Sequence, residues 1–193
     1  MSNQGIVKYH LIDTESGNLY VWQYPDFDKL IATGKKKKEV ERQIIKELFE
    51  HLKIDYQLLN YTSEGAPFLK NHDSQYLSIS HSNGWFAVYF DKVPVGVDIQ
   101  VFTTSLYKGS SYFLSKEEQK WADQELCLQL IWCAKEALYK KYGGKISDLK
   151  NDVITKVLDI EIGNITMNYN GNLEQLRFSL LPNCTLTYTY GCH

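Results

Sequence analysis

WCAKEALYKKYGG, residues 132–144, is the stretch from which the rest of the chain can be read. Residues 132–141 are all tolerated in a helix, and Gly143-Gly144 supplies a stop. Ile131, Ala134 and Leu138 recur at helical spacing, which predicts one apolar, buried face. Lys135 then projects off that face, and Glu136 and Lys140 fall one turn apart on another. A Glu and a Lys at that spacing read either as a solvated pair worth a few tenths of a kcal/mol or as part of a charged site.

Upstream lies PVGVDIQ, residues 94–100. Val95, Val97 and Ile99 alternate with Gly96, Asp98 and Gln100, the period of a strand. One face is β-branched; the other carries a carboxylate, an amide and a glycine with no side chain. Asp98 either faces water on an edge strand or is buried, and a buried carboxylate needs a cation or several donors. The second alternative predicts a hard-cation site in which Asp98 and Glu136 supply oxygens and a substrate phosphate completes the shell.

Together the two stretches resemble the paired signature of the 4′-phosphopantetheinyl transferases. That signature runs G-[VI]-D-[IV]-E, then, a few tens of residues later, [WF]-[SC]-x-K-E-[AS]-x-x-K. Gly96, Val97, Asp98 and Ile99 match the first block; Trp132, Cys133, Lys135, Glu136, Ala137 and Lys140 match the second. Gln100 departs from the pattern, with an amide where the family usually has a second acid.

The chain has 193 residues, 44% of them hydrophobic, and a formal charge of −2, so a packed core is feasible and bulk nucleic-acid binding is not suggested. Cys127, Cys133, Cys184 and Cys192 form no CxxC pair and read as reduced thiols. No basic-then-apolar leader is visible and no run reaches membrane-spanning length, so a cytoplasmic protein that binds no membrane is expected.

In chain order, residues 5–13 and 18–24 read as two strands joined by a turn at Glu15-Ser16-Gly17. His10 lies in the first and is given no role. KKKKEVERQIIKELFEHL, from residue 35, carries a helical stripe of Val40, Ile44, Ile45, Leu48 and Leu52, and clustered lysines at its start oppose the macrodipole unless a polyanion lies nearby. LSISHSNGWFAVYF, residues 77–90, reads as a hairpin turning at Asn83-Gly84. Residues 101–112 lack periodicity and read as a mobile loop. Ser115 and Glu118 form a capping box that opens a short helix. DIEI, ITMNYN, LRFSLL and TLTYTY, between residues 159 and 190, read as strands separated by turns.

Further blocks extend the resemblance. Arg42 with Ile44, Ile45 and Leu48 is similar to the family's R-x-L-L-x-x-L helix, though a plain surface arginine fits equally. ISHS, residues 79–82, resembles the I-S-H-S block, and GAPFL, residues 65–69, resembles G-K-P-x-L with Ala66 in place of the lysine. The resemblance implies an α+β fold of the surfactin type: two similar halves, 1–92 and 93–193, each a helix on an antiparallel meander, with coenzyme A in the cleft between them. It implies an enzyme that moves the 4′-phosphopantetheine arm of coenzyme A to a serine of an acyl or peptidyl carrier protein, releasing 3′,5′-ADP, with Mg²⁺ as cofactor. On this reading Asp98, Gln100 and Glu136 hold the metal, and Lys135 and Lys140 contact phosphate. Glu136, or a water on the ion, is the base; Arg42, Ser80 and His81 hold the nucleotide end. A cleft within one chain makes a monomer the expected state. Gln100 leaves a second reading open, a relative that binds coenzyme A or a carrier protein without transfer.

Overall fold

Residues 8–91 contribute one antiparallel sheet and residues 97–189 another, and the alternation of side chains decides what each sheet covers. The computed structural model describes residues 8–14, 17–71 and 74–190; residues 5–7 of the expected first strand, the turn at Glu15-Ser16 and Cys192 lie outside them. The first sheet is built from β1 (Lys8–Asp13), β2 (Asn18–Gln23), β5 (Tyr76–Ser82) and β6 (Trp85–Asp91), in the order β1-β2-β6-β5. A short helix α1 (Phe27–Ala32), the helix α2 (Lys37–His51) and a small hairpin of β3 (Leu59–Tyr61) and β4 (Pro67–Leu69) stand between β2 and β5. The second sheet has the order β7-β11-β10-β9-β8, from β7 (Val97–Val101), β8 (Val153–Asp159), β9 (Asn164–Tyr169), β10 (Asn172–Leu181) and β11 (Cys184–Thr189). Two helices, α3 (Ser105–Phe113) and α4 (Glu125–Lys141), connect β7 to β8. The architecture is mixed α and β with antiparallel sheets.

β6 is buried at every position because it has protein on both faces. Phe86, Val88 and Phe90 pack with Val40, Ile44, Ile45, Leu48 and Phe49 of α2. Trp85, Ala87 and Tyr89 face the other way and pack with Val97, Ile99, Leu186 and Tyr188 of the second sheet. The expected apolar stripe of α2 and the β-branched face of residues 95–99 are therefore both core. α4 buries Leu130, Ala134, Ala137 and Leu138 with Val153, Ile165, Met167 and Leu176. Asn83 (φ 41°) and Gly84 (φ 85°) form the expected two-residue hairpin turn, and Asn170 (φ 51°) and Gly171 (φ 84°) form another.

Two expectations are corrected. Residues 105–113 are a helix, not a loop; Phe113 of this helix, with Leu114, packs against Leu128 and Ile131 of α4. The strand before β9 is Val153–Asp159, and most of DIEI is the turn that follows it, with Ile160 and Ile162 exposed.

β7 and α4 meet at Gly96. A Cβ there would lie 1.8 Å from the Ala137 carbonyl oxygen and 2.8 Å from the Lys141 amide nitrogen. Both are backbone atoms of a packed helix, so neither can yield cheaply. Gly96→Ala is expected to cost about 3 kcal/mol or more by forcing strand and helix apart, read as a fall in the urea midpoint. An unchanged midpoint would refute this account of the contact.

Candidate active site

The serines of β5 set the frame. Leu77 and Ile79 point toward α2, so Ser78, Ser80 and Ser82 point the other way, toward the edge of the second sheet. Their hydroxyls accept the backbone N–H groups of Val97 (3.0 Å), Ile99 (3.1 Å) and Val101 (3.1 Å). Three side chains thus do what a backbone ladder would do, and β5 lies alongside β7 with a constant offset of 19 residues.

Asp98 sits at the middle of this seam and is buried. Its Oδ1 accepts from the Ser80 hydroxyl at 2.8 Å and from Lys140 Nζ at 2.6 Å; Lys140 also donates to the Val97 carbonyl at 3.1 Å. Asp98 Oδ2 is buried with no hydrogen-bond partner among the described residues. An unsatisfied buried carboxylate oxygen is costly, and such atoms mark strain or a site for an ion or water. The edge-strand reading with Asp98 in water is excluded by this burial.

Glu136 is half-buried on α4 and makes no hydrogen bond or ion pair with a described residue. Burial raises its pKa first, the negative charge of Asp98 raises it further, and Lys140 opposes both. Two carboxylates thus repel each other across a gap where one oxygen lacks a donor. Gln100 lies on the same face of β7, since Thr187 is the register partner of Asp98 and Thr185 that of Gln100. Its side-chain Nε2 donates to the Val101 carbonyl at 3.1 Å. Among the described residues no group of three or more His, Cys, Asp or Glu side chains is arranged for a metal ion. Two carboxylates with an orphaned oxygen nevertheless fit a hard divalent cation that keeps several waters and takes further oxygens from a substrate.

His81, next along β5, stands at the wall of a cavity. Its Nδ1 lies 3.3 Å from Glu41 Oε1 of α2, and its ring is 5.8 Å from that of Phe86. Burial lowers the pKa of the imidazole, and Glu41 opposes that. Arg42 is exposed, with Nε donating to the Tyr56 hydroxyl at 3.4 Å. Lys37, Lys38, Glu41, Arg42, Tyr61 and His81 line a cavity of about 1070 Å³. A smaller one, about 230 Å³, is lined by Glu136, Tyr139 and Lys140 from α4 and by Tyr61, Glu64 and Ala66 from the β3–β4 hairpin and its turn. Ile45, Tyr61 and His81 line both, so the two adjoin. Ala66 leaves the hairpin's contribution to the smaller cavity without the cation that a lysine would bring.

Two sequence expectations do not fit this geometry. Lys135 is fully buried; Nζ donates to the Phe113 carbonyl (2.7 Å), the Leu149 carbonyl (3.0 Å) and Glu118 Oε2 (2.8 Å), so its three protons are committed to protein and none is left for a phosphate. Ser80 is buried, accepts from Ile99 and donates to Asp98, so it orients the carboxylate and does not face a ligand. Glu118 forms the expected capping box with Ser115, but its second oxygen also accepts from the amide and hydroxyl of Thr155, both across 37 residues of chain. The sequence reading missed Glu41, Tyr61 and Glu64 as cavity residues. No local signal marks them, because each reaches the site only through a long-range contact.

Residues 94–187, just under half of the chain, match the model of the 4′-phosphopantetheinyl transferase superfamily. The matched segment contains Asp98, Gln100, Lys135, Glu136 and Lys140, and the match supports placing the chain in that superfamily and phosphopantetheinyl transfer as its class of reaction. No curated protein matches the chain. Among the described residues no helix is long and apolar enough to cross a membrane, and Cys127, Cys133 and Cys184 are free thiols.

Proposed function

We propose that the chain is a surfactin-type 4′-phosphopantetheinyl transferase, with halves 1–92 and 93–193, which moves the phosphopantetheine arm of coenzyme A to a serine of an apo carrier protein. The observation that carries this reading is the buried Asp98 Oδ2, which has no hydrogen-bond partner among the described residues, close enough to Glu136 for the two charges to repel, inside the segment that matches the superfamily. Mg²⁺ bound to Asp98 and Glu136, with Gln100 within the same face, would neutralise the pyrophosphate charge that develops as its bridge breaks. The chemical balance is simple: the serine oxygen forms a bond to the pantetheine-side phosphorus, the bridging P–O bond breaks, and 3′,5′-ADP leaves with the electron pair.

The residues of this chain supply position and proton handling. Lys140, already 2.6 Å from Asp98, places a cation at the edge of the cavity where a phosphate would enter. Glu136, with its raised pKa, suits a base that takes the serine proton. Arg42 and the lysines of α2 supply positive charge in the larger cavity, and His81 a ring nitrogen, which suits the nucleotide phosphates. Lys135 holds α4 in register so that Glu136 is aimed, and takes no part in contact. The protein acts as a cytoplasmic monomer on coenzyme A and an acyl or peptidyl carrier protein.

The test is incubation with coenzyme A, Mg²⁺ and a panel of apo carrier proteins, followed by intact-mass measurement. One carrier should gain a phosphopantetheine arm with an equal yield of 3′,5′-ADP, and chelation should stop the reaction. Tight coenzyme A binding with no carrier modified would instead establish the non-transferring relative. His81→Ala and Arg42→Ala are expected to raise the coenzyme A KM more than they lower kcat, since both would act in ground-state binding.

A further inference from the structure

Glu41 is an anion on the wall of the cavity that Lys37, Lys38 and Arg42 otherwise make positive. On charge alone it would repel the phosphates assigned to that cavity, and removing it would tighten their binding. Its geometry points the other way. The Glu41 side chain is only 13% exposed; Oε1 lies 3.3 Å from His81 Nδ1 and 3.9 Å from Lys37 Nζ, and that lysine is itself tied at 3.0 Å to Asn83 Oδ1. The carboxylate thus stands between a lysine and an imidazole, with little of it turned to solvent.

We propose that Glu41 is a positioning residue which, on the transferase reading above, fixes the ring of His81 so that the imidazole presents a donor to a nucleotide phosphate. The imidazole has two close neighbours, Glu41 Oε1 at 3.3 Å from Nδ1 and the Phe86 ring 5.8 Å from its own. With Nδ1 turned toward the carboxylate, Nε2 is the ring nitrogen left for a ligand. A phosphate needs a donor at Nε2, so the ring must then carry both protons; burial keeps the imidazole pKa lowered on balance, and the negative charge of Glu41 offsets part of that cost for a phosphate that completes the protonation. The groups acting on the imidazole fall in line: burial, Lys140 and Lys37 favour the neutral ring, and Glu41 and Asp98 favour the charged one. Glu41 is the larger of the two opposing carboxylate influences. It comes from α2, whereas His81 belongs to β5, so the pair also ties the two walls of the cavity together.

The sign of one measurement separates this from simple repulsion. Calorimetric binding of 3′,5′-ADP, and the KM for coenzyme A, should weaken about tenfold in Glu41→Ala, the size expected for losing one charge-assisted contact, with kcat changed less than KM. Glu41→Gln keeps an acceptor for Nδ1–H and should recover part of the loss. The double variant Glu41→Ala/His81→Ala should bind no more weakly than His81→Ala, because Glu41 acts only through the ring. Tighter or unchanged binding in Glu41→Ala, or additive losses in the double variant, would overturn the proposal. If the unaltered chain binds neither 3′,5′-ADP nor coenzyme A, the transferase reading falls and takes the proposal with it; if it binds both and Glu41→Ala binds equally well, only the proposal falls.

Discussion

Lys135→Met is expected to lower the unfolding free energy by about 3–5 kcal/mol, the range for removing one partner of a buried ion pair. Lys135 and Glu118 are both fully buried and 2.8 Å apart. The two ends of the pair are not equally provided for. Burial would raise the Glu118 pKa, but the Lys135 charge and hydrogen bond, with the amides of Ser115 and Thr155, more than reverse it. For Lys135 burial wins, and its pKa is lowered despite Glu118. The carboxylate is therefore the better-satisfied partner, and taking away the lysine strands it. Three segments also lose their common anchor, since Nζ ties the end of α3, the capping box and the loop at Leu149 to α4. Adding Glu118→Gln should return part of the loss, because it removes the buried charge, although its NH2 must then face either the Ser115 or the Thr155 amide N–H and leave that donor unpaired. Denaturant unfolding of the single and double variants reads both numbers; a single variant within about 1 kcal/mol of the native chain would show that the pair is not sealed from water. The Glu118 contribution also has a defined pH dependence. Its folded pKa is depressed, so the stabilisation is present above the ordinary glutamate range and is lost as pH falls through the folded value.

The contrast between Lys135 and Lys140 shows where sequence reading stops. Both stand in WCAKEALYK on one helix, five residues apart, and both read as cations available to phosphate. Helical periodicity fixes the angle between them but not what covers each flank. Phe113, Leu114, Leu128 and Ile131 form a second cluster beside α4, so the flank carrying Lys135 is sealed while Lys140 keeps partial access to solvent. That cluster depends on α3, whose sequence SLYKGSSYF has a central glycine, three serines and two exposed tyrosines, and so little local helical signal. Missing α3 and misplacing Lys135 are one error with one cause.

Legibility was better where local chemistry and tertiary burial agree. The hairpin turns at Asn83-Gly84 and Asn170-Gly171 follow from residues that tolerate positive φ. The alternation of Ser78, Ser80 and Ser82 with Leu77 and Ile79 showed a strand, but a serine pattern cannot say that its partners are three amides of β7. DIEI alternates as a strand should, yet its isoleucines are exposed in a turn. The true strand was hidden by the irregularity between Thr155 and Val157, which breaks the two-residue period.

Glu136→Gln is expected to reduce transfer by at least about a hundredfold while making the metal-free fold more stable at neutral pH. Glu136 is a cleaner probe than Asp98, whose loss would also release Ser80 and Lys140 from their hydrogen bonds. The Glu136 carboxylate makes no hydrogen bond or ion pair with a described residue, and burial followed by the charge of Asp98 raises its pKa, with Lys140 opposing. A raised carboxylate pKa means that the folded chain binds this proton more tightly than the unfolded chain does. Stability is thus lost as pH rises through the folded pKa, and above it the ionised group is a standing cost. Glutamine is neutral throughout and escapes that cost, so the melting temperature of Glu136→Gln should exceed that of the native chain near pH 8 and converge with it at acid pH. Mg²⁺ binding only to the folded state would stabilise the native chain by mass action and leave the variant little changed, so the difference should shrink or reverse on titration with the ion. A variant that transfers at the native rate would remove Glu136 from the site. A variant that melts below the native chain without Mg²⁺ would show that its carboxylate is satisfied in the fold, and would undo the electrostatic case for a cation beside Asp98.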